Sequence, residues 1–355
     1  MSRFWSEQQL AFVSMLSDMA PSISSEHGHL AAALESVQIE AFAPLPKGTG
    51  RPPLDRRALV RAFFVKAIRG SSQTEDLHRA LRADHGLAVL CGFKRSVPSL
   101  STFSRAFAEF ARMGLCDMAL SSLARKALGE QLVMHVCRDS TAICVRERPH
   151  KKPKVESKPK GKPGRKKGVP PKPKVSTRQE RQLDQDPHEA IKELPQLCDV
   201  GTKKNSKGHD MHWNGYKFHV DVTGDGLPIS AVTTSASVHD SQVAIPLMKL
   251  SAQRVLASCY QLMDAGYVGG PIRTAAENLK QIPIIAPKGK RGAEAIPLDK
   301  ATQRRYGART AIERFFADLK DNRGASQVRV RGQPKVHLHL MFGLIAIFAL
   351  HLLSG

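Results

Sequence analysis

The residues of this sequence best placed to do chemistry are three acids. The short apolar, β-branched run LVMHVCRDS reads as a strand that stops at Asp139, and CYQLM reads as a second strand running into Asp264. A third acid, Glu313, lies where Ile312, Phe315, Phe316 and Leu319 recur at helical spacing. At ~100° per residue, Tyr306, Arg309, Glu313 and Lys320 fall on one arc ~60° wide beside that apolar stripe. Such a helix buries its apolar side on a sheet and carries Glu313 to the edge where the two aspartates stand. Three carboxylates there are hard oxygen ligands for Mg²⁺, which takes only a few and keeps places for phosphate oxygen and water. Two such ions ~4 Å apart activate a nucleophile and stabilise the leaving oxygen of a phosphodiester. Arg309 and Lys320 carry the charge to hold phosphates in the same site. A single aspartate at a strand end is more often a cap or a turn residue; the shared arc on the helix is what makes the three acids count together.

Those acids need a frame. From Gln131 the order strand, hairpin, helix, strand, helix, strand, helix describes a mixed α/β sheet covered by helices. The hairpin is Tyr216 to Val222 and Leu227 to Thr234, joined by Thr223-Gly224-Asp225-Gly226. Helices are expected over 241–256, 272–279 and 302–321, with a strand over 282–286 and a last apolar helix from Val336. Ahead of this, a turn-rich link at 47–53 precedes helical spacing over 54–68, 73–81 and 100–113, the second segment closing near Gly86. Basic faces on those helices fit DNA binding and fit a plain helical bundle equally.

Charge narrows the choice of partner. Lys and Arg number 54 against 32 Asp and Glu, a formal net charge of +22. A surplus of that size points to a polyanion, because phosphate neutralisation releases counterions. Residues 146–181 hold fifteen Lys or Arg and three Glu, net +12, in a Lys-, Pro- and Gly-rich stretch. It cannot bury apolar surface and reads as a disordered basic insertion that touches phosphate without reading sequence. The six cysteines form no Cys-x-x-Cys pair, as expected for reduced thiols in the cytoplasm. No secretory signal is expected at the N-terminus. The greasy run Leu338 to Leu353 is short for a membrane span and reads as a buried helix, so no membrane association is expected.

The residues then match a pattern. Tyr306, Arg309, Glu313 and Lys320 stand as Y-(2)-R-(3)-E-(6)-K, which resembles the signature of the DDE transposases of the IS4/IS5 insertion-sequence superfamily. LMDAGYVGG around Asp264 resembles that family's Asp-x-Gly-Tyr motif, and IPIIAPKGKRG its following strand and basic turn. RDST resembles the strand of the first acid, while GRPPLDRRALVRAFF and PSLSTFSR resemble the helical N-terminal domain. The resemblance implies an α/β fold with a ribonuclease H-like mixed sheet flanked by helices, preceded by an all-helical N-terminal domain. The corresponding division is a helical DNA-binding domain at 1–130 and a catalytic domain at 131–355 that contains the basic insertion. It further implies cutting at the terminal inverted repeats of a mobile element with two Mg²⁺ or Mn²⁺ ions, and transfer of the freed 3′ ends into target DNA. Carried over, Asp139, Asp264 and Glu313 are the catalytic acids and metal ligands, and Tyr306, Arg309 and Lys320 contact phosphates. The implied partner is double-stranded DNA, bound by a homodimer in a bacterial, nucleoid-associated setting. The 146–181 insertion has no counterpart in the pattern. A structure-selective nuclease on the same core, or an inactive or domesticated DNA-binding relic, remains a competing reading.

Other residues have blander roles to set beside the chemical ones. His209-x-x-His212 lacks the Glu of helical zinc motifs, so strand histidines are the simpler account. Lys217, leading into the hairpin, is a candidate for facing DNA. His239-Asp240-Ser241 most simply starts the next helix, with Asp240 or Ser241 as its cap; it also resembles a recurrent segment of the family.

Overall fold

The computed structural model describes residues 24–44, 55–150, 176–204, 207–287, 289 and 296–354. Most of the basic insertion (151–175) and most of the 47–53 link therefore lie outside the described residues. The helical part comprises α1 (Ser25–Val37), α2 (Arg56–Ile68), α3 (Thr74–Ala83), α4 (His85–Leu90), α5 (Leu100–Met113) and α6 (Leu115–Leu128). Two of these, besides α1, lie outside the expected helices. Gly86 does not close a helix but sits inside α4, which starts where the Asp84 carboxylate caps the Leu87 N–H. The second, α6, begins directly after Gly114, whose φ of 64° reverses the chain out of α5.

The sheet has six strands: β1 (Leu132–Cys144), β2 (Asp199–Lys204), β3 (Asp210–Thr223), β4 (Pro228–Ser235), β5 (Ala257–Met263) and β6 (Ile282–Ile285). Pairing runs β4–β3–β1–β5–β6, antiparallel on the first two borders and parallel on the last two, with β2 paired to the start of β3. The expected end of the first strand at Asp139 is wrong. Antiparallel pairing to β3 carries β1 on to Cys144 opposite Gly215, whereas its parallel pairing to β5 stops at Cys137 opposite Leu262. Asp139 thus sits in mid-strand, at the notch where its neighbour ends. The remaining helices are α7 (Arg178–Gln182), α8 (Pro187–Lys192), α9 (Ala244–Ala252), α10 (Gly270–Asn278), α11 (Lys300–Tyr306), α12 (Thr310–Asn322) and α13 (Gln333–Ser354).

Alternate residues of a strand face opposite sides, and β1 sorts its neighbours that way. Toward one side, α12 packs on β1 and β3, with α13 behind it. On the other, α9 lies over β3 and β4, flanked by α8 and α10. The apolar helix α13 meets α1, α2, α5 and α6 as well as β4, so helical segment and sheet share one hydrophobic core. By length and composition it could cross a membrane, but here it is mostly buried. Its Gly343 permits close approach to α12, because a Cβ there would lie 2.9 Å from Leu319 Cδ1.

Candidate active site

The single helix expected over 302–321 is three pieces. After α11 the chain tightens into a 3-10 turn, Gly307–Arg309, and resumes as α12. Gly307 is a poor helix former at the join, and the φ and ψ values of Tyr306, Gly307 and Thr310 all remain helical, so direction is kept while winding changes. In a 3-10 turn, residues three apart eclipse, so Tyr306 and Arg309 line up on one edge. In α12 the i, i+4 pair Arg309 and Glu313 then share a face.

That geometry brings the acids toward one cation. Arg309 donates through Nη2 to Asp139 Oδ2 and through Nη1 to Glu313 Oε1, the latter at 2.9 Å. Its guanidinium is largely covered, and its Nε is buried without a partner among the described residues. Asp139 also accepts from the Ser140 N–H at 2.8 Å. Asp264 follows the last residue of β5, two register steps beyond the last β1–β5 pair, Cys137 with Leu262, where the register continued sets it opposite Asp139. Its Oδ1 caps the Gly266 N–H at 2.8 Å. Burial pushes the Asp139 carboxyl up to about 6, partly opposed by Arg309 and reinforced by Asp264. Burial works against the charge of Arg309 but is outweighed by Asp139, Asp264 and Glu313, leaving it more firmly protonated than usual. Glu313 is 62 % exposed.

Among the described residues, no group of three or more His, Cys, Asp or Glu side chains is close enough to hold a metal ion as it stands. The donor set nevertheless fits a hard divalent cation: Asp139, poorly compensated, and Glu313 both bond the Arg309 guanidinium, and Asp264 is near enough to act on its charge. Tyr306 is half-buried, with its phenol raised by burial and by the neighbouring acids. Lys320 stands apart. It lies two turns beyond Glu313, ~10 Å along the helix, where burial and then Lys203 lower its pKa.

Lys217 lies on the other side of the sheet. Its Nζ donates to Asp240 Oδ1 and to the Val238 carbonyl, each at 3.0 Å. Ser140 Oγ donates to the same Asp240 oxygen at 2.8 Å, and fully buried His219 holds Thr234 through Nε2 at 2.9 Å. Sequence reasoning did not find this network. The available signal was Lys217 and His219 two apart on β3, hence on one face, opposite Ser140 on β1. The turn cap at 239 is the His239 side chain, accepting from the Ser241 N–H, rather than Asp240 or Ser241. The phenol of Tyr267, in the segment after Asp264, is buried with no hydrogen-bond partner among the described residues.

Residues 183–349 match the family model described as Transposase DDE domain, and residues 22–109 match the Transposase domain (DUF772). No curated protein matches the chain. The first match begins downstream of the basic stretch, so it takes in Asp264 and Glu313 but not Asp139. Residues 22–109 and 183–349 of this chain resemble transposase domains, and together the two matches indicate a transposase.

Proposed function

We propose that this protein is a metal-dependent DDE transposase. It binds the terminal inverted repeats of an insertion sequence, hydrolyses phosphodiester bonds at the element ends and transfers the 3′ ends into target DNA. The observation that carries this reading is the placement of Asp139 and Asp264 on adjacent parallel strands at the notch where β5 ends, with Glu313 brought to them from α12 through Arg309. The strand order β4–β3–β1–β5–β6, antiparallel and then parallel, supports a ribonuclease H-like core.

Asp139, Asp264 and Glu313 would hold two Mg²⁺ or Mn²⁺ ions. Bound there, the ions would supply Lewis-acid activation of the attacking oxygen and stabilisation of the leaving one. The chain's own residues position the DNA. Arg309, released from the carboxylates, offers a planar fork that suits a phosphate at the cleaved end. Tyr306, eclipsed with it, offers a hydroxyl on the same edge, and Lys320 a point charge two turns further along. Lys217, turned toward Asp240, acts by fixing Ser140 next to Asp139 rather than by meeting DNA. Paired element ends call for a homodimer, acting on the nucleoid in the cytoplasm.

The test is cleavage of a labelled duplex carrying the inverted repeat that flanks the coding sequence, in Mg²⁺, with wild type and Glu313→Gln. A nick at the repeat terminus that is absent with Glu313→Gln supports the proposal. Binding without a nick in either Mg²⁺ or Mn²⁺ overturns it in favour of a DNA-binding relic.

A further inference from the structure

A cleft of about 680 Å³ lies between the helical segment and the sheet, away from the carboxylates. Its walls come from segments far apart in sequence: the starts of α3 and α5, Arg146 two residues beyond the end of β1, and the approach to α13. Four cations line it, Arg146, Arg329, Arg331 and Lys335, against one acid, Glu75. Among the described residues none of the four side chains has a hydrogen-bond or ion-pair partner, and Arg329 Nε is buried with its bond unmade. Like charges gathered without partners repel, and a buried donor left unpaired costs free energy. Both costs are relieved when an anion enters.

Two further features point the same way. The N-termini of α3 and α5 open at this cleft, and neither carries a side-chain cap. Their unpaired N–H groups and dipole ends add to the positive potential. A second groove of about 600 Å³ shares Glu75 and Leu100 with the first and continues along α3 past Arg79 and Arg82. The cations therefore form a track rather than a spot. It starts near Val145, six residues along the strand from Asp139, which is ~20 Å at ~3.3 Å per residue.

We propose that this cleft seats the sugar-phosphate backbone of duplex DNA, at a distance from the cut worth about six base pairs at ~3.4 Å each. The inference rests on the transposase reading and adds where on the molecule the duplex runs. A backbone seat positions the DNA without reading bases, so its contribution is equal for every sequence. Arg146 also begins the basic run of the sequence.

The experiment is fluorescence anisotropy on the full chain, with a labelled inverted-repeat duplex and an unrelated duplex, over a salt series. Arg329→Ala/Arg331→Ala/Lys335→Ala is expected to weaken binding to both duplexes alike. It should also flatten the log–log salt slope by about 0.9 for each phosphate no longer neutralised. Glu75→Gln, which removes the one opposing charge, is expected to tighten both, and it keeps the proposal testable if the triple variant does not fold. Unchanged affinity and slope in a folded triple variant, or no tightening by Glu75→Gln, overturns the cleft while leaving end cleavage and the transposase reading intact. Failure of the wild type to bind or cut any duplex overturns both.

Discussion

Asp139 and Ser140 are neighbours on β1, yet they feed two charged clusters of opposite character. On the Ser140 side every charge has a fixed partner. Arg138 and Asp221, both fully buried, form a bidentate pair that Ser251 completes at 2.6 Å. Burial alone would raise the Asp240 carboxyl, but His219 and Lys217, with hydrogen bonds from Lys217 and Ser140, hold it below the ordinary range. Because burial also pushes His219 down to about 4, the standing cation beside Asp240 at neutral pH is Lys217. On the Asp139 side two carboxylates share one arginine, a third is close, and Asp139 is driven toward protonation. The sealed cluster has no unmet demand for charge, whereas the open one has a deficit of positive charge that a divalent ion would satisfy. A carboxylate network becomes a candidate site when its compensation is incomplete and movable.

The contrast breaks most visibly at the open acids. Asp139→Asn, Asp264→Asn and Glu313→Gln should each lower end cleavage by about a thousandfold, since each ligand supports several kcal/mol of transition-state stabilisation. Their melting temperatures should not fall below that of the wild type, as read by calorimetry. A variant that loses activity only through unfolding would place that acid in the structural class instead.

On the sealed side the effects should invert. Asp221→Asn leaves Arg138 buried without its partner and should cost about 3–5 kcal/mol of stability. That is measurable as a shift in urea midpoint, and it should come with undiminished cleavage per folded molecule. Lys217→Ala should cost less, about 1–3 kcal/mol, because its partner Asp240 keeps the Ser140 hydrogen bond and some solvent. If Lys217→Ala abolished cleavage as Asp139→Asn does, with stability unchanged, the two faces would not be separable.

How much of this contrast can be read from sequence follows from what holds each part. Asp264 and Glu313 are legible because a strand running into an acid and an apolar stripe beside a polar arc are local patterns. The continuation of β1 past Asp139 is not, since antiparallel pairing to β3, decided at long range, carries Ser140 to Cys144. The polar strand β2 likewise exists because Asp210 to Gly215 pairs with it. The break at Gly307 escaped because period alone does not distinguish a continuous helix from one tightened over three residues. By contrast, α6 carried its signal in Leu115, Ala119 and Leu123, which are buried at helical spacing. The network around Asp240 joins three segments distant in sequence, and no local pattern links them.

The smallest expected effect is also the most direct probe of the charge deficit. Asp139 has an ordinary value of 3.8 and is pushed up to about 6 in the fold. A raised carboxyl favours the folded state while it keeps a proton the unfolded chain has lost. Stability from this group therefore falls as pH rises through that window, and the full penalty is present above about 6. Two buried histidines act oppositely over an overlapping range, His219 at about 4 and His339 at about 3 against 6.5, so folding loses stability as pH drops below 6.5. Whole-protein stability therefore mixes the two signs, and the useful quantity is the difference between Asp139→Asn and wild type. Without divalent ions, that difference should shift in favour of the variant by about 1 kcal/mol between pH 5 and pH 6.5, as read from urea unfolding. Added Mg²⁺ should stabilise the wild type more at pH 7 than at pH 5, because metal and proton compete for the same oxygens, and should do little for the variant. A difference that stays flat across the window would mean that Arg309 already compensates Asp139 fully, and the two faces of β1 would then be alike.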